Sequence, residues 1–222
     1  MDTPGSGDCE AHLSGWGQPV LATTSAAYVV AGLVVLLWAR RRSDVHWAEV
    51  WLYAGGLALA GLGSMDYHGP AWGPQPLLHD AGLALALIVA FGIDLRRLGV
   101  PVRPLTWALG GVTVALIAVI VVAPTLSPAL AGVAALALVA AEALVYRRRL
   151  RPATPALAAG MACLLLGGVA YALSRTGGPL CQPESWLQGH GVWHVLTAAA
   201  LALWAVTALP TSRSSDPAAV GG

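Results

Sequence analysis

Seven long apolar runs, separated by short breaks, dominate the pattern of hydrophobic and polar positions in the chain. Each run has about 18 to 21 residues, and a helix of about 20 apolar residues crosses the hydrocarbon core of a membrane. The breaks are rich in Gly, Pro and Arg, which end helices or stay outside the bilayer. The pattern predicts an all-α membrane protein, a seven-transmembrane helix bundle. The predicted spans are residues 19–39, 46–65, 78–95, 105–124, 128–146, 155–173 and 190–209.

Composition agrees with this class and excludes others. Only 10% of the residues are charged and 57% are apolar, whereas about 25% of the residues of a soluble domain are charged. No linker divides the chain, so residues 1–210 are predicted to form one transmembrane domain. Residues 211–222 are predicted to be a disordered cytoplasmic tail. We expect a membrane and a membrane lipid as partners, and no nucleic acid.

The arginines predict the orientation. All twelve Lys and Arg positions are Arg, and eleven of them follow the first, third, fifth or seventh run. Because positive loops stay in the cytoplasm, the N-terminus is predicted outside and the C-terminus inside. The absence of Lys and the abundance of Ala, Gly and Leu suggest a GC-rich bacterial genome, and therefore the bacterial cytoplasmic membrane.

Polar residues within the apolar runs form three clusters. His190 and His194 open the seventh run at a spacing that places both rings on one face of a helix. Ser64 and His68 close the second run with the same spacing, and Asp80 opens the third run. Since successive spans run in opposite directions, all three clusters are predicted to meet at the outer face.

A zinc site is the chemistry that this set of side chains favours. Three neutral imidazoles with a fourth position open to water are typical of catalytic zinc, and His68, His190 and His194 supply that set. Asp80 is then predicted to orient the water or take its proton, and Ser64 to stabilise the oxyanion. The alternative is that these histidines are hydrogen-bonded structural residues. Because all three polar clusters are predicted to meet at the outer face, we favour a metal site over a purely structural role.

These motifs resemble the CREST superfamily of seven-transmembrane putative metal-dependent hydrolases. The resemblance is carried by S-x3-H at the end of the second span, Asp80 at the start of the third and H-x3-H in the seventh. That superfamily includes the alkaline ceramidases and the adiponectin-receptor and hemolysin-III-like proteins. The resemblance implies a seven-helix fold with zinc on His68, His190 and His194, and with Ser64 and Asp80 beside it.

Within the superfamily, the predicted outer N-terminus and the leader sequence Asp8-Cys9-Glu10 resemble the alkaline ceramidase branch. The resemblance implies that Asp8 and Glu10 bind Ca2+, although the leader has fewer acidic residues than a full calcium site needs. Cys9 and Cys181 both fall on the predicted outer face, where an oxidising compartment permits a disulfide.

The expected function is a zinc-dependent hydrolase that cleaves the amide bond of a ceramide-like sphingolipid or other acyl lipid, with the active site towards the outer face. An ester lipid is nearly as compatible with the sequence. One alternative is a receptor-like or hemolysin-III-like protein that contains zinc and binds lipid without turnover. Another is an ion transporter that uses the His and Asp cluster as a relay. The sequence indicates no oligomeric state.

Overall fold

Seven long α-helices make up the computed structural model, which describes residues 7–70 and 75–210. The predicted tail, residues 211–222, lies outside the described residues. No strand occurs among the described residues, and a short 3-10 turn precedes α5. The helices are α1 Pro19–Ala39, α2 Trp47–His68, α3 Gln75–Arg97, α4 Val102–Val122, α5 Ser127–Arg147, α6 Pro155–Leu173 and α7 Gly189–Ala208.

The predicted helices are confirmed in number and order within the described residues, and their bounds differ by a few residues. The largest differences are at α2, which continues to His68, and at α3, which begins at Gln75. Six of the seven helices are long and apolar enough to cross a membrane. The exception is α2, whose mean hydropathy is lowered by Glu49, Asp66 and several glycines. A seventh span therefore stays a prediction.

Helices α1, α2, α3 and α7 form the core of the bundle. α2 packs against α1 and α3, and α1 also packs against α7. The outer helices have fewer neighbours: α6 packs against α7, and α5 packs against α3. The backbones of α5 and α6 make almost no contact with each other. The helices next to α1 and α2 are therefore closely packed, whereas α5 and α6 hardly pack against each other.

Most of the arginines and the three clustered histidines lie at opposite ends of the bundle. At the arginine end, where α1, α3, α5 and α7 finish, Arg96 pairs with Glu49 at 2.7 Å. Arg151 pairs with Glu142 and lies 3.6 Å from Asp94. The histidine end carries the last turn of α2, the first turns of α3 and α7, and the leader. This separation is what antiparallel spans predict; which end faces the cytoplasm stays a prediction from the arginines.

Close contact between α2 and α3 depends on glycines near the histidine end. A Cβ atom on Gly63 would lie 2.1 Å from the His79 backbone nitrogen, and one on Gly82 would lie 2.2 Å from that of Ala60. Real Cβ atoms do not approach backbone so closely. The two glycines therefore permit the crossing that brings the end of α2 beside the start of α3.

We expect Gly63→Val to destabilise the protein by about 2–3 kcal/mol, because the new side chain forces the two backbones apart. Thermal unfolding in detergent measures the loss. Gly55→Val is the matched control: it lies on the same helix, and a Cβ atom there meets nothing within 4 Å. Equal melting temperatures for the two variants would contradict the argument.

Candidate metal centre

Three histidines from two helices meet at the histidine end. His68 is the last residue of α2, and His190 and His194 lie in the first two turns of α7. The nitrogen atoms that could bind a metal all lie within 4.8 Å of one another. His68 and His194 are each only 2% exposed. The predicted cluster is thus confirmed as a group that could hold a metal ion, while its geometry leaves the identity of the metal open.

Helix α1 brings the two parts of the cluster together. It packs against α2 on one side and α7 on the other, so the end of α2 and the start of α7 both lie beside its first turns. Gly191 sits between the two α7 histidines, and a Cβ atom there would lie 3.2 Å from the Thr24 hydroxyl. The glycine thus lets α7 approach α1 closely at the level of the histidines.

The Nδ1 atoms of His68 and His194 are engaged by residues at the start of α1. His68 Nδ1 lies 2.9 Å from Gln18 Oε1. The other amide atom of Gln18, Nε2, donates to the Glu10 carbonyl, so Oε1 is an acceptor and His68 donates from Nδ1. His194 Nδ1 lies 3.2 Å from the Thr24 hydroxyl and 3.3 Å from that of Ser25.

Asp8 of the leader lies against the third histidine. Its Oδ1 is 2.9 Å from His190 Nδ1, and its Oδ2 is 3.9 Å from His68 Nδ1. Arg175 approaches the same Oδ1 at 2.6 Å and also donates to the Tyr171 hydroxyl. Burial raises the pKa of Asp8, but the contacts with His190, His68 and Arg175 outweigh burial and lower the pKa below its usual value. Asp8 is therefore a carboxylate at neutral pH.

The donor set fits a divalent metal such as zinc. With Nδ1 facing a protein partner in each ring, Nε2 is the nitrogen of each imidazole left to bind an ion. Ligand histidines usually contact a carboxylate, carbonyl or similar group through their second nitrogen, which fixes the tautomer and the ring orientation. His68 and His194 follow this arrangement through hydrogen bonds. His190 has the Asp8 carboxylate at ion-pair distance from Nδ1, without the alignment of a hydrogen bond.

Ser64 and Asp80 lie close to the histidines but contact other side chains. Ser64 is fully buried, and its hydroxyl lies 2.8 Å from that of Ser25, which in turn contacts His194. Asp80 Oδ1 lies 2.7 Å from Nδ1 of its neighbour His79. Asp80 also lines the cavity onto which the histidines open, whereas Ser64 does not. Their predicted catalytic roles stay predictions.

Glu10, which the resemblance implied to be a calcium ligand, has a different partner. Its two carboxylate oxygens accept from the backbone nitrogens of Val20 and Leu21 at 2.7 and 2.9 Å, and so cap the start of α1. Burial raises the pKa of Glu10 above its usual value, although these two hydrogen bonds oppose the shift. Asp8 is directed to the histidines and Arg175 instead. The two carboxylates therefore have separate partners, and calcium binding stays a prediction.

The predicted disulfide is present. Cys9 and Cys181 are bonded, with their Cα atoms 5.4 Å apart. The bond ties the leader to the loop before α7, and the Ala11 backbone nitrogen also donates to the Pro183 carbonyl of that loop. The leader is thus held over the start of α7.

A cavity of about 700 Å3 extends from the histidines into the bundle. Its polar end carries the three histidines, Asp8, Asp80 and Arg175. The far end is apolar, and its walls are formed by Leu83, Leu87, Ala131, Gly132, Ala135, Leu164 and Leu201. The wall from α5 consists of small residues, which leaves room for a ligand beside α3 and α7.

Sequence reasoning missed the partners of the imidazoles. Gln18, Thr24 and Ser25 all lie within α1 or just before it, and none was predicted to belong to the site. The signal was the cluster of hydroxyl side chains in an otherwise apolar helix. Arg175 also belongs to the site, although the sequence assigns it no role; the signal is that it alone among the arginines does not follow an odd-numbered run.

Comparison with known proteins adds no assignment to this geometry. No protein-family model matches the chain, and no curated protein matches it.

Proposed function

We propose that this protein is a zinc-dependent hydrolase of membrane lipids, and that it cleaves the amide bond of ceramide-like N-acyl lipids. The observation that carries the proposal is a three-histidine group that opens directly onto a deep, largely apolar cavity. The resemblance of the Ser64, His68, Asp80, His190 and His194 motifs to alkaline ceramidases supports the amide bond and the ceramide-like substrate.

Three protein donors favour a reactive site over a purely structural one. Among the described residues, the group that could hold an ion consists of these three histidines, and structural zinc sites are usually closed by four protein ligands. When bound, zinc would act as a Lewis acid and lower the pKa of a water molecule. If the histidines hold zinc, Asp80 would be the group that takes a proton, at Oδ2, since Oδ1 already contacts His79.

The polar mouth of the cavity suits the head of a lipid. Arg175 and Asp80 line this end and can hydrogen-bond an amide or hydroxyl group beside the metal. Tyr28 and Thr197 also line the cavity, and their hydroxyls form a hydrogen bond with each other. At the far end of the cavity the lining is aliphatic, so we propose that the acyl chain lies there.

Access for a lipid is proposed between α5 and α6. These helices make almost no backbone contact with each other, yet the cavity is lined by Gly132 on α5 and by Leu164 on α6. Both helices are exposed over much of their surface. A lipid could therefore enter sideways from the membrane without first passing through water.

A second candidate function is a receptor-like protein that binds lipid without turnover. The contact between Asp80 and His79 favours this candidate. A carboxylate that already contacts a neighbouring imidazole is less suited to take a proton from water. A relay for ions has less support. The acidic residues at the arginine end, Asp94 and Glu142, face Arg151 rather than the histidine end.

The test is hydrolysis by the purified, zinc-loaded protein. We expect fatty acid release from a panel of a ceramide, an N-acylethanolamine and a monoacylglycerol, with the amides faster than the ester. Removal of zinc by a chelator should abolish the release, and zinc should restore it. Zinc bound without release from any lipid would favour the receptor-like function. Faster release from the ester would reassign the substrate.

Gly132→Leu tests where the acyl chain lies. Gly132 lines the cavity and a Cβ atom there meets nothing within 4 Å, so we expect leucine to fit without moving the helix and to narrow the space for long chains. We expect hydrolysis of a long-chain amide to fall about tenfold relative to a short-chain amide. Gly111→Leu on α4 is the control, since that glycine has equal space and does not line the cavity. Unchanged chain-length preference would place the acyl chain elsewhere.

A further inference from the structure

The metal-binding histidines and the groups that orient them come from different parts of the chain. The histidines lie on α2 and α7, whereas all the Nδ1 partners lie within residues 8–25. Thr24 and Ser25 are in α1 and Gln18 immediately precedes it, so their positions follow from helix packing. Asp8 lies ten residues before Gln18, in the leader, and must be held there by other contacts.

Asp8 occupies a position that no other described carboxylate shares. It lies 2.9 Å from His190 Nδ1 and 3.9 Å from His68 Nδ1, so a single group lies beside two of the three rings. Its side chain is only 5% exposed. Arg175 donates to the same Oδ1 at 2.6 Å, and Thr176 donates to the Asp8 backbone carbonyl. These contacts direct the carboxylate towards the histidines.

The next residue supplies a covalent anchor. Cys9 is bonded to Cys181 and is 6% exposed. The loop that contains Cys181 leads directly into α7, which begins at Gly189. The disulfide therefore joins the leader, next to Asp8, to the loop that precedes α7 and His190.

We propose that Asp8 is a positioning residue for the metal centre and that the Cys9–Cys181 disulfide holds it against His190. This inference rests on the proposed metal site, but it does not depend on which lipid is cleaved or on whether any is. Asp8 acts on the His190 ring through its negative charge, which lies 2.9 Å from Nδ1 without the alignment of a hydrogen bond and favours the tautomer with the proton on Nδ1. Nε2 is then left for the ion. The disulfide acts through Asp8, by keeping the leader in place.

The first test is the metal affinity of Asp8→Asn, measured by competition with a chromogenic chelator on the full-length protein in detergent. Loss of a group that orients a ligand histidine typically weakens metal binding about 10- to 100-fold, and we expect a loss in that range. The visible absorption bands of the Co2+-loaded variant should shift, since the His190 ring is free to turn. Asp8→Glu should recover part of the affinity.

Glu184→Gln is the control for the change of charge. Glu184 is exposed in the same loop as Cys181, and its removal should leave the affinity and the Co2+ spectrum unchanged. Elution as a single species and an unchanged melting temperature without metal would show that Asp8→Asn folds. Wild-type affinity and spectrum in a folded Asp8→Asn would overturn the proposal.

The second test couples the disulfide to Asp8. Cys9 and Cys181 are both replaced by Ser, because free thiols would themselves bind the metal. We expect weaker metal binding in this double variant. Adding Asp8→Asn should cause little further loss beyond that of Asp8→Asn alone, because the two changes remove the same interaction. Full additivity, or wild-type affinity in the serine variant, would show that the disulfide does not act through Asp8.

Failure of the metal site itself gives a different result. If the wild type and Asp8→Asn both bind no metal, the proposed function is wrong. If the wild type binds metal and His194→Ala does not, while Asp8→Asn binds as tightly as the wild type, only the role of Asp8 is wrong.

Discussion

Replacing His194 by alanine is expected to reduce bound zinc from about one ion per chain to almost none. His194 is buried, lies within the three-histidine group and is contacted by two hydroxyls at Nδ1. Two remaining histidines cannot complete the set of three donors. Because metal binding to a folded site adds to the free energy of unfolding, the variant should also lose the rise in melting temperature that zinc gives the wild type.

Metal analysis of purified protein and thermal unfolding with and without zinc measure both effects. His46→Ala is the matched control, since His46 is exposed at the start of α2, at the arginine end. The control should keep its metal and its zinc-dependent stabilisation. A wild type without metal after zinc loading, or a His194→Ala variant that binds normally, would contradict the three-histidine assignment.

Asp80→Asn is expected to slow lipid hydrolysis about 10²- to 10⁴-fold while zinc stays bound. Asparagine has nearly the shape of aspartate but does not act as a general base, so the change removes the proposed base and keeps the shape of the cavity wall. The three histidines keep their Nδ1 partners, none of which is Asp80. Activity and metal content should therefore separate in this variant, whereas they fall together in His194→Ala.

Initial rates with the preferred lipid and metal analysis of the same sample test this separation. Asp44→Asn controls for the loss of a carboxylate, because Asp44 pairs with Arg42 at the arginine end and should have no effect. Normal turnover by Asp80→Asn would mean that another group takes the proton. Loss of metal together with activity would instead assign Asp80 a role in holding the ion.

Helix number and the end of the bundle at which the histidines meet follow from simple patterns. Apolar runs of about 20 residues leave little choice but a helix that satisfies its backbone internally. Successive helices then alternate in direction, so the end of α2 and the starts of α3 and α7 share one end whatever the packing. That reasoning placed His68 beside His190 and His194, which are more than 120 residues later in the chain.

The neighbours of individual side chains do not follow from the same patterns. Alternation determines the end of the bundle but not the rotation of each helix about its axis, which depends on close contacts such as that at Gly63. The sequence predicts Ser64 beside the metal but not its contact with Ser25, which in turn contacts His194. It predicts Asp80 at the site but not the contact with His79. The roles of both residues stay predictions.

The leader shows the largest contribution of tertiary structure. Its sequence suggested acidic ligands for a cation, but Asp8 contacts His190 and Arg175, and Glu10 caps α1. A short irregular segment has no periodicity from which to predict its path, so only its contacts with the helices determine where its side chains point. By itself, the sequence determined the helical bundle and the end of the bundle at which the three histidines meet. It could do so because the length of each apolar run and the alternation of helix direction can be read directly along the chain. The tertiary structure decided which residues orient those histidines and where the cavity extends, because these depend on packing between distant segments.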